Sequence, residues 1–266
     1  MNAIEWLGIE PAGDGVWRLP VTPDVQSGAS ALFGGCAMAA ALAVVGQSEA
    51  KPFVSAIAHY TGFNPVGSVV TLTATTIASG RTLAHHQVVG SNDTGESFVV
   101  RAAFGQRDAV EPQGQWLAAG DEVPSLGAAA PFELPVHDGT WAARFEWRLA
   151  ASVSASADGS AHWWVRPIGI DDPITVAAIL LDYVTYGMGR ALGSPLGGLS
   201  IDNVVRMVTP RLTEWVRLQV RPDALVGGFG HGSSMVWTSE GELIGSGNQS
   251  IVANGWDWRL PSERDG

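Results

Sequence analysis

Residues 174–192 read ITVAAILLDYVTYGMGRAL, a run that is helical in character and apolar on nearly every face. Its ends are punctuated by local chemistry. Asp172 stands at the N-cap, Pro173 at the first helical position and Gly193 just past the last turn, so one helix from 173 to 192 is expected. Between Ala177 and Gly187 the only charge is Asp182. A helix that is apolar all round has no face to offer water, and it must be enclosed by protein on most sides.

Working outward, residues 31–46, ALFGGCAMAAALAVVG, have the same character. Each helix is followed by strand-like runs, near 55–60, 69–79, 82–91 and 96–107 in the first half, and near 200–208, 214–221, 229–239 and 243–253 in the second. The β-branched stretch VVTLTATTI and the Asn-Asp-Thr-Gly and Ser-Glu-Gly turns support hairpins. The halves also repeat at an offset near 146. TGESFVVRAAF (94–104) lies over EGELIGSGNQS (240–250), and GDGVWRLP (13–20) resembles ADGSAHWWVRP (157–167). A curved antiparallel sheet wrapped around one central helix satisfies both the burial and the repeat. This is the hotdog fold, and the expectation is an α+β double hotdog. Residues 1–108 form the first hotdog and 141–266 the second, joined by a Pro-, Gly- and Ala-rich linker over 109–140.

Composition limits the function classes. Against 15 Lys plus Arg stand 26 Asp plus Glu in 266 residues, a net charge of −11 that argues against nucleic acid or anionic membrane as a partner. No apolar run approaches the ~20 residues of a membrane span. The N-terminus lacks the basic and apolar regions of a signal peptide, and one cysteine, Cys36, excludes an internal disulfide framework. A cytoplasmic location is the expectation. No G-x-S-x-G, H-E-x-x-H or C-x-x-C motif is present, and His85 and His86, adjacent on a strand, point to opposite faces and cannot share a metal. No metal and no cofactor is expected. The run GMGRALG (187–193) mimics a dinucleotide fingerprint but ends a helix rather than opening one.

The succession LFGGCAMAAAL (32–42), SAIAHYTGFNPVG (55–67), SGRTLAHHQVVG (79–90), LLDYVTYG (180–187), LSIDNVVRMVTP (199–210) and GNQSIV (247–252) resembles the acyl-CoA thioesterase II family of double-hotdog hydrolases. The likeness runs over residues 27–108 and 170–254. It implies an acyl-CoA substrate, with homo-oligomeric association open. It also implies a water-activating trio in the second half, namely Asp182 on the helix, Ser200 two residues before Asp202, and Gln249 on the last strand. His59 matches a family histidine near the substrate. The chain departs from the family at Cys36, where Gln follows the Gly pair, at Asn203, where His follows Asp, and at Ser250-Ile251, where Glu-Gly follows Gln.

The repeat separates a single site from a structural need. Shifted by 146, Asp182 falls over Gly35-Cys36, Ser200 near Ala56 and Gln249 over Ala103, so the polar groups occur once per chain. Thioester hydrolysis needs a base, a held water and donors for an oxyanion. Asp182 suits the first role, Ser200 and Gln249 the second, and the backbone N–H groups around Gly34, Gly35 and Cys36 the third. Asp202, two residues from Ser200, is expected on the same strand face, supporting the hydroxyl. Two readings compete. A hotdog hydratase needs a His where Gly187 stands, whereas a silent acyl-binding module would have the same pocket.

Overall fold

The computed structural model describes residues 2–106, 113–119, 123–132, 134, 139–151, 159–193 and 196–254. The first apolar stretch forms helix α2 (Gly34–Gly46), after a short α1 (Ala3–Leu7). From Gly35 to Leu42 every residue of α2 is buried, as an all-apolar helix demands. Around it run β1 (Glu10–Gly13), β2 (Val16–Pro20), β3 (Phe53–Tyr60), β4 (Val69–Ser79), β5 (Leu83–Asn92) and β6 (Gly95–Gly105). The second half contributes β7 (Ala130–Pro131), β8 (Phe145–Ala151), β9 (Ala161–Pro167), β10 (Gly197–Met207), β11 (Val216–Val226), β12 (Phe229–Thr238) and β13 (Leu243–Asn254).

All of these strands join one antiparallel sheet in the order β1-β2-β4-β5-β6-β3-β10-β13-β12-β11-β9-β8-β7. Read from the middle outward, β3-β6-β5-β4-β2 is mirrored by β10-β13-β12-β11-β9, and this is the spatial form of the sequence repeat. The fold is a double hotdog. The halves meet where β3 pairs β10, with Asp202 opposite His59, Asn203 opposite Ala58 and Val205 opposite Ala56. One apolar core runs through both halves, and α2 packs directly on the second central helix. Gly35 makes that approach possible, because a Cβ there would lie 2.8 Å from Ile179 Cα and 2.9 Å from the Ala178 carbonyl oxygen. No helix of the described residues is long and apolar enough to cross a membrane.

One expectation is corrected. The helix expected over 173–192 keeps its caps, with Asp172 accepting from the Ile174 and Thr175 N–H groups and Gly193 left-handed at φ 62°. It is nevertheless two helices, α3 (Pro173–Leu180) and α4 (Val184–Leu192), interrupted at Leu181-Asp182-Tyr183. The groups that continuity would pair are taken by strands of the wrapping sheet. Ser234 Oγ donates to the Leu181 carbonyl at 2.8 Å, and the Val184 N–H donates to Gln249 Oε1 at 3.1 Å. Within the stretch read as linker, β7 pairs β8, and Gln115 exchanges hydrogen bonds with the β12–β13 turn at Gly241 and Leu243. Part of the linker is therefore docked on the second half's sheet.

Candidate active site

Asp182 sits in the break between α3 and α4, so the polar residue of the apolar stretch occupies the one place where the helix has released its backbone. The side chain is 3% exposed. Its Oδ1 accepts a hydrogen bond from Gln249 Nε2. The same amide donates to Ser200 Oγ at 2.7 Å, and the Ser200 hydroxyl stands 3.5 Å from Asp182 Oδ1. The trio expected from sequence is thus brought together from three elements. Gln249 holds two of its members at once, because its Oε1 is fixed by Val184 N–H while its Nε2 serves Asp182 and Ser200.

Ser200 reaches this cluster through a β-bulge. Along β10 the buried residues Asn203, Val205 and Met207 face the core, and simple alternation would send Ser200 outward. The register shifts between Ser200 and Asp202, placing Ser200 opposite buried Ile251 and Asp202 opposite Ser250. Asp202 therefore does not share the face of Ser200. It points away from the trio and accepts from the Ser250 N–H at 2.9 Å.

Burial dominates the electrostatics of Asp182. Withdrawal from water raises its carboxyl from an ordinary 3.8 to about 8, and the Gly35 backbone N–H, Ser200 and Gln249 offset only part of that. Oδ2 has no hydrogen bond of ordinary geometry among the described residues and lies against the start of α2. A Cβ at Gly34 would come within 2.6 Å of it. Phe33, the N-cap of α2, supplies no side-chain cap to the leading N–H groups of this 13-residue helix, and of these the Gly35 N–H turns to Asp182.

The cluster lines a cavity of about 480 Å³, within the usual range for small-molecule sites. Its walls are largely apolar and include aromatic side chains. Phe33 stacks on Trp141 with ring centroids 4.4 Å apart, and Tyr183 stacks on Tyr186 at 4.9 Å. Both halves contribute, together with Leu134 from the connecting segment. Among the described residues Asp182 is the only charged side chain in the lining.

A family model for the acyl-CoA thioesterase N-terminal domain matches residues 21–105, and one for the acyl-CoA thioesterase C-terminal domain matches residues 120–253. The chain belongs to the acyl-CoA thioesterase family. Solved structures agree with this placement. A provisionally assigned thioesterase of Novosphingobium aromaticivorans is 28% identical, with a TM-score of 0.83 over 93% of this chain and 98% of its own. The TesB protein of Mycobacterium avium subsp. paratuberculosis (18% identity, TM-score 0.74, 95% of this chain and 98% of its own) shares the fold. So does acyl-CoA thioesterase II of Mycobacterium marinum (16%, 0.70, 98% and 100%). A comparison with curated protein sequences finds no match.

Within this thioesterase-family scaffold, the residues expected to meet substrate divide. Gly34 lines the cavity, whereas Gly35 is placed by helix packing and turns its N–H toward Asp182. His59, expected near the substrate, is exposed, lies beside Asp202 on the outer face of the sheet and does not line the cavity. The reason is strand phase. Ala56 and Ala58 are buried, so the inward neighbour is Tyr60, whose hydroxyl donates to the Gly34 carbonyl at 2.9 Å. The alternation in Ser55-Ala-Ile-Ala-His-Tyr60 carried that signal. Trp141 had none, because its place depends on the path of the connecting segment. Among the arginines, Arg101 bonds Gln87 and Arg211 is held by Glu240 and Glu242. Neither these two nor Arg81 nor Arg206 lines the cavity.

Proposed function

We propose that this chain hydrolyses acyl-CoA thioesters to the free acid and coenzyme A, with Asp182, Ser200 and Gln249 acting on water. One observation carries the reading. A buried carboxylate, held by a hydroxyl and an amide, faces an uncapped helix N-terminus on the wall of an apolar cavity.

The long Ser200–Asp182 approach of 3.5 Å leaves room for a water to bridge the two oxygens. Asp182 then takes a proton as the water oxygen bonds the thioester carbonyl carbon, and the carbonyl oxygen becomes an oxyanion. N–H groups at the head of α2, around Gly34 and Cys36, stabilise that charge. Collapse of the intermediate breaks the C–S bond, and the thiolate leaves with the proton that Asp182 took. The apolar walls bury the acyl group and exclude bulk water, which strengthens each of these polar interactions.

Release of free thiol from a panel of acyl-CoAs of different acyl size tests the reading. Release that follows enzyme concentration supports it. Acyl-CoA binding without thiol release identifies a silent acyl-binding module and overturns it.

A further inference from the structure

Tyr60 ends β3 with its ring in the cavity wall beside Phe98, at a centroid distance of 6.5 Å. Its hydroxyl donates to the Gly34 carbonyl oxygen at 2.9 Å. The carbonyl of one residue and the N–H of the next belong to one planar unit and point in opposite directions. Fixing the Gly34 carbonyl therefore fixes the direction of the Gly35 N–H, and it is this N–H that bears on Asp182.

The peptide needs such a hold. Two successive glycines open α2, each less constrained than any other residue, and Phe33 supplies no cap to the first turn. Nor can a side chain at position 34 stiffen it, since a Cβ would fall 2.6 Å from Asp182 Oδ2 and 3.1 Å from Tyr60 Oη. The tyrosine hydroxyl, delivered from the sheet, holds this peptide by its carbonyl instead.

Asn203 stands behind the tyrosine. It is fully buried, pairs with Ala58 across the β3–β10 junction, and so lies on the face that Tyr60 shares. Neither its Nδ2 nor its Oδ1 has a partner of ordinary hydrogen-bond geometry among the described residues, and its amide bears electrostatically on the Tyr60 hydroxyl. With the hydroxyl proton committed to Gly34, the Asn203 Nδ2–H is the group that can donate to Oη. A donor there polarises the hydroxyl toward the carbonyl. The titratable groups facing this cluster are Asp182, Cys36 on α2 and, farther out on β10, Asp202.

We propose that Tyr60, backed by Asn203, is a positioning residue that orients the Gly34–Gly35 peptide so that its N–H supports the Asp182 carboxylate. The proposal rests on the reading of Asp182 as the base for its effect on turnover, but its effect on the carboxyl itself can be measured without any substrate.

Tyr60→Phe keeps the ring and removes the hydroxyl. Carboxyl-stretch infrared titration, with Asp182→Asn as the blank that identifies the band, reads the protonation of Asp182 directly. In Tyr60→Phe the Asp182 midpoint is expected to move upward by about half a unit or more, the equivalent of weakening one hydrogen bond. Below the midpoint turnover should fall about threefold or more with little change in KM, and the acid limb of the pH–rate profile should move with the infrared midpoint. Asn203→Leu, which leaves the tyrosine in place, should shift the midpoint in the same direction by less, and it carries the test if Tyr60→Phe does not fold. An unmoved midpoint in a folded variant overturns the proposal, whether or not turnover falls. A protein that releases no thiol but shows the shifted midpoint fails as a thioesterase while the positioning role stands.

Discussion

Replacing Asp182 with Asn separates chemistry from architecture in one protein, because turnover should fall while the stability difference changes sign with pH. The carboxyl titrates at about 8 in the folded protein and at 3.8 in an unperturbed chain. The fold thus keeps a proton that the unfolded chain has lost. Asp182 therefore contributes a loss of stability as pH rises from about 4 to about 8, at about 1.4 kcal/mol per unit, a total on the order of 5 kcal/mol. The asparagine amide of the variant does not titrate, so that slope should vanish. Its Oδ1 can still accept from Gln249 and Ser200, but its amide group then turns toward the Gly35 N–H, a donor facing a donor, at a cost of about 1 to 3 kcal/mol. Near pH 5 the variant should therefore be equal to or weaker than wild type, and above pH 8 it should be the more stable protein. Urea unfolding at several pH values reads this difference directly. Turnover, measured on the same preparations with an acyl-CoA that the parent hydrolyses, should fall about 10²- to 10⁴-fold, the usual contribution of a positioned base. A pH-independent stability difference together with near-normal turnover would refute both the buried-carboxyl argument and the role of Asp182 as base.

Since only the deprotonated Asp182 can accept a proton, kcat/KM should rise with pH along a limb centred near 8, and Ser200→Ala, which removes a bond favouring the carboxylate, should move that limb upward. A limb that stays in place in Ser200→Ala would detach the hydroxyl from the carboxylate. Asp202→Asn keeps the acceptor for the Ser250 N–H and lies on the outer face of β10, so turnover should stay within about threefold of wild type and far above that of Asp182→Asn. A larger loss in a folded Asp202→Asn protein would mean that the outer face of the β3–β10 junction takes part in the reaction.

The amino-acid order alone determined those features whose causes are local. Two apolar helices with no polar face had to be enclosed, and alternating β-branched runs with turn residues supplied the sheets that enclose them. The ends of the second helical region were equally legible, because Asp172, Pro173 and Gly193 act on the backbone within one turn of themselves. What tertiary structure decided lies within the site. The helix breaks at Asp182 because Ser234 and Gln249, more than fifty residues farther along the chain, take the backbone groups that would have continued it. Ser200 faces inward, and Asp202 does not, because the pairing of β10 with β13 slips by one residue between them. A strand alternates its faces at every residue, so a single-residue slip exchanges inside for outside, and nothing in the local pattern around Ser200 records the slip. At β3 the local pattern was sufficient: its buried alanines set the phase that turns Tyr60 into the cavity and His59 toward Asp202. Helix identity and caps are properties of neighbouring residues. Where a bulge interrupts the alternation, as beside Ser200, the direction in which a side chain points is a property of register, and that register is settled only when distant strands pair.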